Sequence, residues 1–102
     1  MQHREELSLA SILEQLRKLK PELKARYHVK QIGLFGSLVR GEQKTSSDID
    51  ILVELDSDAT LFDLVRLKLR LEEEFQRPVD VIPRESLRAE LRQEVLQEFI
   101  PA

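Results

Sequence analysis

The sequence predicts an α/β (α+β) fold, a small mixed β-sheet flanked by helices. Three observations in the 102 residues carry that expectation. Apolar spacing alternates between a helical period and strict two-residue alternation, in the order helix, strand, turn, strand, helix, strand, helix. No linker rich in Gly, Pro or Ser and no internal repeat divides the chain, so residues 1–102 form one domain. Finally, 41% apolar and 34% charged residues are the balance of a globular protein with one modest core.

Each element has its own signal. From about Ser8 to Ala25, Leu9, Ile12, Leu13, Leu16 and Leu19 recur at helical spacing, and Pro21 marks a bend or a restart. Lys30 to Phe35 switches to alternation, with Ile32 and Leu34 on one face and Gly33 and Phe35 on the other. Gly36 ends this strand. Ser37 to Arg40 is short enough for one helical turn, and Gly41 to Ser47 reads as a polar loop. Asp48 to Glu54 is the second strand, with Ile49, Ile51 and Val53 facing the core. A turn at Asp56 to Ala59 leads to Thr60 and Asp63, spaced as an N-terminal capping pair. The helix that follows is expected to bury Leu61, Leu64, Val65, Leu71 and Phe75. Pro78 to Ile82 is a third, short strand. A last helix from about Arg84 to Phe99 is expected to bury Leu87, Leu91, Val95 and Phe99, with Leu96 beside them as a candidate interface residue.

Composition excludes several classes of function. With no cysteine there is neither a disulfide framework nor a thiolate metal site, which suits a cytoplasmic protein. No apolar run approaches the roughly 18 residues of a membrane span, and the polar start Met1-Gln2-His3-Arg4 lacks the apolar stretch of a signal peptide. A net charge of −3 and a pI of about 5.4 disfavour a dedicated nucleic-acid module. The scarcity of aromatics, Tyr27 and four Phe, points the same way.

Two features call for chemistry. Strand alternation puts Asp48 and Asp50 on one face, about 7 Å apart at Cα. Carboxylates that close repel, and a hard divalent cation such as Mg²⁺ would neutralise them. Asp80, between Val79 and Val81, is a charge in the middle of a strand; beside the second strand it would bring a third carboxylate to the same point. Three such acids suit two metal ions about 3.5–4 Å apart. On its own, Asp-x-Asp is equally well read as the wet face of a half-exposed sheet. The second feature is Gly36-Ser37 after the first strand, where glycine allows close approach of a phosphate and Ser37 adds a hydroxyl. Arg40, one helical turn on, can point the same way. Alone, Gly-Ser is more often an ordinary tight turn.

In sequence, Gly36-Ser37-Leu38-Val39-Arg40-Gly41, then Ser47-Asp48-Ile49-Asp50-Ile51-Leu52-Val53, then Val79-Asp80-Val81-Ile82, resembles the nucleotidyltransferase family related to DNA polymerase beta, in its minimal branch. The resemblance covers roughly residues 30 to 83 and implies the polymerase-beta palm-like fold. It implies that Gly36, Ser37 and Arg40 bind the triphosphate of ATP. By the same resemblance, Asp48, Asp50 and Asp80 bind two Mg²⁺ ions and serve as the catalytic acids. One departure is Leu38-Val39, where many minimal members carry a basic or small residue.

The acceptor implied by the resemblance is a tyrosine of a small helical HEPN (HepT-like) toxin, with this chain as its antitoxin and protein adenylyltransferase. Two alternatives stand beside it: the same chemistry on a small-molecule hydroxyl, and a binding-only antitoxin without catalysis. Other features read as bland. His28 is a surface or capping residue, His3 lies near the start, Glu72-Glu73-Glu74 is a solvated helix end, and Glu54 continues the Asp48–Asp50 face without being a ligand.

Overall fold

The computed structural model describes residues 8–41 and 48–102. Helix α1 (Leu9–Tyr27) opens on a capping box in which Ser8 and Ser11 each accept the other's backbone N–H at 3.1 Å. It runs unbroken through Pro21, so the proline neither bends the chain into a new element nor restarts it. His28 closes the helix in the left-handed conformation, its N–H returning to the Leu23 carbonyl. That backbone makes His28 a capping residue, and its ring lies 3.5 Å from the Asp56 carboxylate.

Four strands follow: β1 (Val29–Leu34), β2 (Ile49–Leu55), β3 (Val79–Pro83) and β4 (Ile100–Pro101). They form one mixed sheet in the order β3-β2-β1-β4. β1 is antiparallel to both β2 and β4, and β2 is parallel to β3. The parallel pair needs a crossover, which α3 (Leu61–Phe75) supplies. Between β1 and β2 lies the one-turn helix α2 (Ser37–Arg40). The predicted loop Gly41 to Ser47 falls, beyond Gly41, outside the described residues.

One face of the sheet and the inner faces of α1 and α3 make the core. Ile32 and Leu34 from β1 and Ile49, Ile51 and Val53 from β2 meet Ile12, Leu16 and Leu23 of α1 and Leu67 and Leu71 of α3, all essentially without solvent contact. The capping pair of α3 forms as its spacing predicts: Asp63 accepts the Thr60 N–H at 2.9 Å and Thr60 accepts the Asp63 N–H at 3.3 Å.

Two predicted stripes are corrected. On α3, Leu71 and Phe75 are buried and Leu64 partly so, but Leu61 and Val65 are exposed and Leu67 takes the central core position. At 100° per residue the apolar side chains of α3 spread over more than half its circumference, and the sheet covers only the arc of Leu67, Leu71 and Phe75. Phe62 and Leu69 lie with Leu61 and Val65 on the exposed arc. The predicted helix Arg84 to Phe99 divides. A 3₁₀ turn (Arg84–Ser86) precedes extended Leu87 and Arg88, then α4 (Ala89–Glu98), and Phe99 leads into β4. Instead of a core stripe, α4 has no buried residue, and Leu91 is exposed. Pairing of Ile100 and Pro101 with the edge of β1 satisfies backbone groups that a longer helix would leave unpaired at that edge.

Arg70 ties α3 to α1. Its guanidinium donates to both oxygens of Glu22, at 2.8 and 3.2 Å, and to Glu74 at 3.1 Å. The Arg70 hydrogen bond holds the Glu22 carboxyl below its ordinary 4.5, against a smaller opposing effect of burial. A lowered acid stabilises the fold above its unfolded pKa, and that contribution is lost as pH falls through the lowered value. Arg70→Ala is therefore expected to lower the melting temperature by about 2–4 °C at pH 7. The deficit should shrink as the pH is taken well below 4.5. Thermal melts of both proteins across that range measure it; a deficit independent of pH would assign the loss to packing instead.

Candidate active site

The edge where β2 and β3 run side by side positions the candidate acids. Asp50 and Asp80 are partners in the parallel register, so the two carboxylates leave adjacent strands at the same level. Asp48 stands one residue before β2, exposed, and Asp80 is exposed as well, whereas Asp50 is half-buried. Burial raises the Asp50 pKa above its ordinary 3.8, and the charge of Asp80 and then that of Asp48 add to the rise. The backbone N–H of Ser37, hydrogen-bonded to the carboxylate, and the charge of Arg40 act in the opposite direction. Asp50 thus senses Ser37, Arg40, Asp48 and Asp80, the other polar residues of the candidate site.

The glycine turn meets Asp50 directly. Gly36 has φ +83° and ψ −150°, a conformation essentially restricted to glycine. A Cβ built on it would collide with the Asp50 carboxylate. The Phe35 N–H donates to the Asp50 carbonyl at 3.2 Å, which extends the β1–β2 pairing up to the turn. Just beyond, α2 holds Ser37 at its start and Arg40 at its end, and the Arg40 N–H returns to the Gly36 carbonyl at 3.1 Å. The fold therefore gathers Gly36, Ser37, Arg40, Asp50 and Asp80 at one end of β1, β2 and β3, with Asp48 within electrostatic reach.

The acids do not close into a finished metal cage. Among the described residues no three His, Cys, Asp or Glu side chains stand close enough together to hold an ion. The predicted convergence on a single point is in this respect looser than expected, as like charges sharing one hollow favour. Glu54, further along the same strand, faces Lys30 at 3.8 Å and Arg84 at 3.9 Å and is not part of this group.

One residue was not foreseen. Glu98, near the end of α4, accepts the Gly36 N–H at 3.2 Å and takes Arg40 Nη1 with both oxygens, at 2.9 and 3.1 Å. Sixty-two residues separate Glu98 from Gly36, and one glutamate among several on a charged helix carries no signal in sequence. Its seat depends on Gly33: the ring of Phe99 and the carbonyl of Ile100 lie where a Cβ on Gly33 would be.

Known proteins resemble this chain along most of its length. Residues 16–101 match the family model of the nucleotidyltransferase domain. The chain is 38% identical to the protein adenylyltransferase MntA of Thermococcus cleftensis, over 92% of this chain and 95% of that protein. A solved structure of a minimal nucleotidyltransferase superposes with a TM-score of 0.81 at 35% identity, covering 97% of this chain and all of the other. A solved toxin–antitoxin structure with AMP-PNP superposes with a TM-score of 0.66 at 26% identity, over 82% of this chain and 69% of the other. No helix among the described residues is long and apolar enough to cross a membrane. Most of the chain is thus accounted for by one family, and it belongs to the nucleotidyltransferases, in their minimal, MntA-like group of protein adenylyltransferases.

Proposed function

We propose that this chain transfers AMP from ATP to a tyrosine hydroxyl of a helical HEPN (HepT-like) toxin and thereby acts as its antitoxin. The observation that carries the reading is the Asp50–Asp80 pair lying in register beside the Gly36–Ser37 turn. Such an arrangement sets a pair of acids that suits a cation next to a glycine turn open to close approach and a guanidinium that suits phosphate. The toxin–antitoxin relative with AMP-PNP supports both the nucleotide and the partner. The exposed arc of α3 supports a protein partner: Phe62 and Leu61 are 79% and 73% exposed, beside Val65 and Leu69.

The residues present fit a divalent cation. The donors are carboxylate oxygens only; burial first, and then the charges of Asp80 and Asp48, raise the Asp50 pKa, and a bound cation would relieve that repulsion. Asp50 and Asp80, level on adjacent strands, would hold Mg²⁺ together with Asp48 once the ion draws the three carboxylates closer than they stand without it. When bound, the ions supply neutralising charge to the triphosphate and acidity to the attacking hydroxyl.

The chain's own groups do the rest. Gly36 would allow the triphosphate to approach the backbone, Ser37 would offer its hydroxyl, and Arg40 would offer its charge to the phosphates. Asp80, exposed and level with Asp50, would help to take the proton of the acceptor hydroxyl. The tyrosine oxygen forms a bond to the α-phosphorus as the bond from that phosphorus to the bridging oxygen breaks, and pyrophosphate leaves with the electron pair. The barrier is lowered by positioning and charge, so no covalent enzyme intermediate is required.

The test incubates this protein with a HEPN (HepT-like) toxin, Mg²⁺ and labelled ATP. Label on a toxin tyrosine, dependent on Mg²⁺, is the expected result. Neutralisation of the toxin without any label would sink the catalytic reading.

A further inference from the structure

We infer that Glu98 is a positioning residue of the nucleotide site, setting the direction of Arg40 and the shape of the Gly36 turn from the far end of the chain. The inference deepens the reading above and rests on it, since it takes Gly36, Ser37 and Arg40 as the phosphate-binding groups.

The contacts are specific. One carboxylate oxygen of Glu98 accepts both the Gly36 N–H and Arg40 Nη1, and the other accepts Nη1 again at 2.9 Å. A single side chain thus joins the first and the last residue of the turn that is to receive phosphate. Charge-assisted bonds of this length are among the stronger side-chain contacts, and the Glu98 side chain is only 19% exposed. An arginine loses much rotamer freedom when it grips a phosphate, and a carboxylate that already fixes one nitrogen of the guanidinium removes part of that cost before the nucleotide arrives.

Glu98 is in turn held in place from below. Phe99 lies over Gly33, and Ile100 and Pro101 pair with Leu34 and Gly33 of β1, the strand that ends at Gly36. α4 buries none of its residues fully, and these strand contacts help to hold Glu98 at the turn. β4 therefore has a purpose beyond closing the sheet edge: it delivers a carboxylate to the nucleotide site.

A carboxylate so close to the cradle has an opposite reading, in which it competes with the phosphates for the same donors. The two differ in sign. If Glu98 positions Arg40, Glu98→Gln weakens nucleotide binding; if it competes, the same change tightens it.

The experiment measures the affinity for AMP-PNP with Mg²⁺ by calorimetry in the wild type, Glu98→Gln, Arg40→Ala and the double variant, with a thermal melt of each. Glu98→Gln is expected to weaken binding about 5–10-fold with little change in melting temperature. In the Arg40→Ala background it should add at most about a further 2-fold, because its effect runs through that arginine. A purely structural residue would weaken binding by the same factor in both backgrounds. Glu98→Asp keeps the charge but withdraws it by one methylene; it is the second test should the glutamine variant fold poorly, and is expected to weaken binding less. Unchanged or tighter binding in these variants, with Arg40→Ala still weakened, overturns the role of Glu98 alone. If Arg40→Ala binds as the wild type does, the phosphate role of Arg40 fails first and this inference with it.

Discussion

Asp50→Asn should abolish nucleotidyl transfer, by about 1,000-fold or more, and at the same time raise the melting temperature of the protein without added metal by roughly 2–4 °C. Both effects follow from one position. Asp50 is half-buried, directly opposite Asp80 and near Asp48, and its carboxyl is pushed above its ordinary range mainly by burial and then by the charge of Asp80. An amide has nearly the same shape and can keep accepting the Ser37 N–H, but it carries no charge. The variant therefore relieves a repulsion that the folded state otherwise bears, as residues at functional sites commonly do. The accompanying loss of transfer reflects the missing negative charge for the divalent ions. Magnesium titrations give the complementary signal: added Mg²⁺ should raise the melting temperature of the wild type and leave Asp50→Asn nearly unmoved. Parallel melts and a transfer assay measure all three. An Asp50→Asn protein that is less stable than the wild type would show the carboxylate to be a structural hydrogen-bond partner first. One that retains transfer would remove Asp50 from the catalytic group.

The strands around this site were legible in sequence because their signal is local. Alternation fixes which face Asp50 takes once Ile49, Ile51 and Val53 are assigned to the core, and their burial follows. The capping pairs at Ser8 and Thr60 are equally local, involving residues three apart. The relation between Asp50 and Asp80 was only conditionally legible. It required β3 to lie beside β2, and pairing partners thirty residues apart depend on the crossover by α3 rather than on either strand. What could not be read was anything decided by competition for the sheet surface. The apolar side chains of α3 outnumber the positions the sheet can cover, so the sequence does not say that Leu67 goes inside and Leu61 outside. The helical spacing of Leu87, Leu91, Val95 and Phe99 is genuine, yet the chain breaks at Leu87 and Arg88, and Phe99 turns into β4. There the edge of β1 offers hydrogen bonds, and the missing side chain of Gly33 leaves the space in which the Phe99 ring settles. Glu98 is placed by that event, which is why it is absent from any reading of local pattern.

Gly36→Ala is expected to reduce AMP-PNP affinity by more than about 10-fold and transfer by about 100-fold, although it adds a single methyl group far smaller than the nucleotide. Two independent effects converge on that methyl. At φ +83° and ψ −150° an alanine pays for a backbone conformation that L-residues avoid, of order 1–3 kcal/mol, and the chain can escape only by rotating the peptide. Rotation withdraws the Gly36 N–H from Glu98 and shifts Ser37, whose own N–H holds Asp50. If the backbone instead stays, the new Cβ overlaps the Asp50 carboxylate and drives it from its level with Asp80. Either route separates the turn from the acids. Gly41→Ala is the comparison without the clash, because Gly41 also has a positive φ, +76°, in the milder αL region, but has no described atom within 4 Å of a built Cβ. It should carry the backbone cost, roughly 1 kcal/mol, with less than about a 3-fold change in affinity. Calorimetry with AMP-PNP and thermal melts on the two variants separate strain from site geometry. Equal losses of affinity would mean that the left-handed backbone alone matters; a normal affinity for Gly36→Ala would mean that the approach of Gly36 to Asp50 is not what joins phosphate binding to the acids.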